Sequence, residues 1–273
     1  MEHAVGPTPQ LTLRVSAATL SRIIFPHPDD NTHMLALEHK ATIYDADDKP
    51  VAFVRAQPFG GAVRIMKPEI LRKAITAFQY DSERSRSEAD FRIFIQPSRW
   101  PRLLEFCKRE SQPGGQVALD CDPARELAEE FKDTLGIQIT QEDYAVERLG
   151  LVIEKDPQPT ANLRAPQQPT VRVYWVDEVR IKNPELPRLM LDAAQSSEEL
   201  GEQAIRNWKE GGRGRANAIV TAPLEIIRAM YLIRSPEEHC EPLEFEGVVF
   251  SGNIPAILED IDTPKFERIE IRN

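Results

Sequence analysis

The densest reactive chemistry in the chain lies in DPARELAEEFKDTLGI, residues 122–137. Projected as a helix at about 100° per residue, Glu126, Glu129, Glu130 and Asp133 share one side. Ala124, Leu127, Ala128, Phe131 and Leu135 share the other. Carboxylates at spacing i, i+3, i+4 and i+7 have neighbouring side chains, and each like-charged pair costs about 0.2–0.5 kcal/mol. Arg125 and Lys132 lie off to the flank. An oxygen-seeking divalent cation, Mg2+ or Mn2+, would remove the repulsion. Solvation would also ease it, and periodicity alone favours the wet face of an amphipathic helix. The helix is well marked, with Asp122 as N-cap, Pro123 in its first position and Gly136 to end it.

The order of residues adds to the spacing. Arg125-Glu126-Leu127-Ala128-Glu129-Glu130 matches R-E-U-x-E-E, the core of the Nudix box, and the chain resembles the Nudix hydrolase superfamily. The resemblance implies a metal set of Glu126, Glu129, Glu130 and Asp133. It implies a catalytic part for Glu129 and Glu130, with Arg125 orienting the glutamates. Such a site holds Mg2+ or Mn2+ against a nucleoside diphosphate-linked, nucleotide-like substrate, where the metal neutralises the diphosphate and activates water.

It also implies a Nudix-like α/β/α sandwich with a mixed sheet. ATIYDADDKPVAFVRA would supply strands before the box and VRVYWVDEVRI a strand after it, and ANAIVTAPLEIIRAMY a later strand running into a helix. Roughly half of the chain fits, as a single domain over residues 1–273 with inserted segments at 67–110 and 182–215.

The box also departs from the pattern. The glycine and apolar residue of E-E-x-G-U arrive four residues late, at Gly136 and Ile137, and the preceding loop, GGQVALDCD, is short. Anchored on those glycines and on Gly136-Ile137 instead, the box aligns without gaps. Glu129, Glu130, Asp133 and Thr134 then take the places of the arginine and the three acids, and the site is eroded. Two functions follow. One is a metal-dependent hydrolase. The other is a catalytically inactive protein of the same fold, binding a small molecule or a protein partner in regulation or assembly.

Other stretches compete less well. RIIFPHPDDNTH resembles the first zinc motif of LmbE-like deacetylases, with His27 and Asp30 as ligands and Asp29 as base. Asn31 stands where that motif has glutamate, no later Asp-His pair follows, and a turn is the simpler reading. GGRGRAN, with Arg213 and Arg215, reads as a helix-ending loop before it reads as a phosphate cradle. SERSRSE mixes signs like a solvated loop. Tyr174 and Trp175 alternate on a strand, one for the core and the other free to face a ligand.

The elements that must position these residues come from periodicity. Strands are expected at 11–15, across 33–56 in two parts around DADDKP, and at 59–66, 91–96, 144–155, 171–181, 216–222 and 243–250. Helices are expected at 67–79, 97–110, 123–135, 183–210, 223–233 and near 254–260, with loops at 82–90, 111–116 and 156–170. Residues 1–9 read as a loose arm.

The 273 residues, 41% of them hydrophobic, can bury a sizeable core. A formal charge of −10 makes a sequence-independent grip on nucleic acid an unlikely function. Three scattered cysteines, no secretory start and no membrane-length apolar run suggest a cytoplasmic protein. A homodimer is the default assembly.

Overall fold

Long alternating strands and capped helices organise the molecule, whose computed structural model describes residues 11–46, 49–112, 118–159 and 167–270. In chain order these are β1 (Leu13–Pro26), β2 (His33–Ala46), β3 (Lys49–Gln57), β4 (Arg64–Ile65), α1 (Pro68–Ile75), β5 (Gln79–Tyr80), α2 (Glu83–Ser87), β6 (Arg92–Ile95), α3 (Trp100–Glu110) and β7 (Leu119–Asp120). Then follow α4 (Pro123–Leu135), β8 (Tyr144–Glu154), β9 (Gln158–Pro159), β10 (Pro169–Ile181), α5 (Leu186–Asp192), α6 (Ser197–Lys209), β11 (Arg215–Pro223), α7 (Leu224–Leu232), β12 (Leu243–Phe245), β13 (Val248–Phe250) and β14 (Phe266–Ile269). The N-terminal arm, the glycines Gly114 and Gly115, the tip of DADDKP and the centre of the proline-rich loop lie outside the described residues.

A curled mixed sheet runs β12-β13-β3-β2-β1-β10-β8-β14, with β11 on the far side of β2 and β6 beside the start of β1. β1 and β10 are parallel over Arg14 to Ile24 and Thr170 to Arg180. The other edge of β1 is shared by three segments: β6 at its start, residues 59–62 at its middle and β2 at its end. Side chains alternate between two faces. Ile23, Phe25 and Val179 pack with Leu127 and Phe131 of α4 and Leu186 of α5. Leu20, Tyr174 and Val176 pack on the opposite face with Leu224 and Ile227 of α7. Helices therefore cover both faces, in keeping with an α/β class.

Some expectations change. β1 is much longer than residues 11–15, because the small polar run SAAT hides its alternation. The helix expected over 183–210 is two, α5 and α6. Between them the Gln195 N–H donates to the Ile219 carbonyl at 3.2 Å, and Ser196 and Glu199 form a reciprocal capping box for α6. Residues 243–250 fold as the hairpin β12–β13, whose turn holds Glu246 and Gly247 at φ 49° and 75°. The short helix near 254–260 is a single tight turn over Ile254–Ile257, and β14 comes without warning. Residues 67–110 are tied to the main sheet: β6 pairs with β1, and the buried Arg14 and Asp81 form an ion pair at 2.7 Å.

Candidate functional site

The acidic helix begins and ends where its caps require. The Asp122 carboxylate accepts from the Ala124 N–H at 2.9 Å, and Gly136 sits at φ 70°, in the left-handed region that favours glycine. Leu127 and Phe131 fasten its apolar stripe to the sheet, and the ring of Phe131 lies 5.7 Å from that of Phe59. Phe59 leads directly into Gly60 and Gly61, which run beside β1. The Thr19 N–H donates to the Gly61 carbonyl at 2.9 Å. A Cβ on Gly61 would stand 1.6 Å from Glu126 Oε2, so only glycine lets the α4 carboxylate close over this backbone. The glycine pair under the helix is thus Gly60-Gly61, and residues 62–122 separate it in sequence from α4.

Arg125 is the hub. It forms ion pairs with Glu126 and with Glu129, the latter at 3.6 Å, and with Asp120 at 3.3 Å, and it donates to the Ala62 carbonyl at 3.3 Å. Arg64 approaches Glu129 at 4.0 Å. Burial pushes the Glu126 carboxyl up, against the pull of Arg125. Glu130 faces β2. Burial raises its carboxyl to about 8, and the neighbouring Glu38 carboxylate adds to the rise while Lys40 opposes it. Glu38 itself is buried. It accepts from Gln57 at 2.7 Å and pairs with Lys40 at 2.7 Å. Asp133, by contrast, is exposed.

The helix thus brings Arg125, Glu126, Glu129 and Glu130 together and leaves Asp133 outside. The sequence reading missed Glu38, Lys40, Arg64, Asp120 and Gly61. One signal pointed to Glu38: strand alternation puts it on the face of Met34 and Ala36, where an apolar residue is the norm.

A second polar knot lies at the start of α4. The Arg148 Nε donates to Asp177 at 2.5 Å and its Nη2 to the Cys121 carbonyl at 2.9 Å. Burial raises the Asp177 carboxyl to about 6, with Arg148 opposing. This knot fixes the entry to α4 against β8 and β10.

Carboxylate oxygens are the right donors for Mg2+ or Mn2+. Among the described residues, no group of three or more His, Cys, Asp or Glu side chains is disposed to hold a metal ion. Arg125, Arg64 and Lys40 lie on the carboxylates instead.

The competing stretches resolve simply. His27 and Asp30, 3.6 Å apart, sit in an exposed turn. Gly211 and Gly214, at φ 82° and 58°, carry the chain from α6 into β11. Tyr174 and Trp175 are both buried, in opposite cores, so neither side chain is free for a ligand. Burial pushes the Cys107 and Cys121 thiols up, away from nucleophilic use. No helix among the described residues is long and apolar enough to cross a membrane. The chain matches no family model, no curated protein and no solved structure.

The Glu38–Glu130 pair gives a pH signature. A carboxyl raised on folding contributes stability below its unfolded value of 4.5 and loses it as pH rises through the folded value of about 8. Glu130→Gln keeps a donor toward Glu38 and removes the charge. It is expected to leave Tm unchanged at about pH 4 and to raise it by about 3 °C at pH 9, read by differential scanning fluorimetry. A lower Tm at pH 9 would contradict the arrangement.

Proposed function

We propose that this is a binding or regulatory protein of Nudix-like architecture, whose acidic helix is a closed ion-pair network. One observation carries the reading: Arg125 lies on Glu126 and Glu129, and Lys40 on Glu38, so these three carboxylates already have their cations. An arginine fork held by several acceptors gives them up only against a comparable charge. Arg125 also ties α4 to the Ala62 carbonyl, which makes the network a clamp between the helix and the glycine segment.

A second reading, hydrolysis of a nucleoside diphosphate-linked compound, has its own support. Among the described residues, Glu38, Asp120, Glu126, Glu129 and Glu130 face Lys40, Arg64 and Arg125, an excess of acid that a divalent cation would match. That reading requires Arg125 to swing off Glu126.

Phosphate release from a broad panel of nucleoside diphosphate derivatives, with Mg2+ or Mn2+, separates the two. The expected result is no turnover above background, and none lost in Glu129→Gln or Glu130→Gln. Metal-dependent release that Glu130→Gln abolishes would overturn the binding reading.

A further inference from the structure

On the face of the sheet away from α4, a cleft of about 570 Å³ opens between the ends of β1 and β10, α7 and the segment around Glu259. That volume suits a small organic ligand. At its base Arg22 and Glu178 are cross-strand partners and form an ion pair, with 8% and 3% of each residue exposed. Ile24 and Leu224 give it an apolar wall.

Arg22 is poorly used for a buried guanidinium. Its Nη2 serves both Glu178 and Glu259, its Nη1 reaches the Ile257 carbonyl at only 3.5 Å, and its Nε has no hydrogen-bond partner. Buried guanidinium donors are normally satisfied by planar, two-pronged acceptors. Glu259 is a weak substitute, since its side chain is half exposed and meets Arg22 through one 2.8 Å contact. Nearby Arg228 is held by Asp260 at 2.5 Å.

We propose that this cleft binds a small organic anion, a carboxylate or phosphate on an apolar body, whose oxyanion replaces Glu259 on Arg22. The body of the ligand lies along Ile24 and Leu224. Glu259 serves as an internal placeholder: when it swings out, Arg22 keeps only Glu178, which it shares with Arg180, and the ligand supplies the missing acceptor. The site rests on neither reading of α4, because it lies across the sheet from it.

Calorimetric titration with phenyl phosphate, benzoate and benzylamine tests the idea on the full chain. Phenyl phosphate or benzoate is expected to bind and benzylamine not. Glu259→Gln is expected to tighten anion binding about tenfold, while Glu237→Gln, an exposed acid outside the cleft, leaves it unchanged. The proposal is overturned if neither anion binds the native chain or Glu259→Gln, if Glu259→Gln does not tighten binding more than Glu237→Gln, or if benzylamine binds as well as the anions.

Discussion

Replacing Arg125 by alanine is expected to cost about 3 kcal/mol of stability at pH 8, the low end for breaking a buried ion pair because the arginine is partly exposed. The loss has a definite source. The Glu126 side chain is only 11% exposed, and without Arg125 it stands near Glu129 with only the weaker pull of Arg64. Its carboxyl, already raised by burial, then rises further. The sign follows from linkage: the cost is present where Glu126 must ionise and fades as pH falls through its raised native value toward the ordinary 4.5. Urea denaturation at pH 8 and at pH 4 should therefore show a large difference from the native chain and then a small one. Arg125→Lys keeps a charge but loses the fork to Asp120, Glu129 and the Ala62 carbonyl, so it falls between the two. An alanine variant as stable as the native chain at pH 8 would mean that the network is ornamental.

Gly60→Ala is expected to be worse still, at about 4 kcal/mol or more. A Cβ there would lie 2.0 Å from the Thr19 carbonyl oxygen. Backbone on β1 cannot yield without parting the two segments, so the variant should be unfolded or largely insoluble at 37 °C. Gly61→Ala is the informative contrast. Its Cβ meets the carboxylate end of Glu126, which can rotate away. That variant should fold, with Glu126 released from Arg125 and a smaller stability loss. Equal behaviour of the two alanine variants in soluble yield and thermal unfolding would count against the close approach of α4 to this backbone.

The contrast shows what a single sequence reveals. The acidic helix is legible to the residue, because Asp122, Pro123 and Gly136 are local signals and a local hydrogen bond or backbone angle answers each. β10 and β11 are legible for the same reason, as is the run from β11 into α7. The site around the helix is not. Gly61 meets Glu126 across residues 62–125, Glu38 meets Glu130 across about a third of the chain, and no spacing rule links residues so far apart. The break between α5 and α6 was written in the capping box at Ser196 and Glu199, but helical periodicity on either side masked it. The pairing of Arg22 with Glu178 is harder again: it depends on the parallel register of β1 and β10, which neither strand encodes alone.

The two faces of the sheet now carry different chemistry. On one, α4 and β2 hold acids that Arg125, Arg64 and Lys40 largely neutralise. On the other, a guanidinium-lined cleft has a half-exposed glutamate in it. The central claim concerns the first face, that its carboxylates are closed to a divalent cation. Titration of the native chain with Mn2+ at pH 7.5, followed by the electron paramagnetic resonance of the free ion, tests it most directly. The account predicts no stoichiometric site with a dissociation constant below about 1 mM. One Mn2+ bound per chain at about 10 μM, and lost in Glu130→Gln, would contradict it.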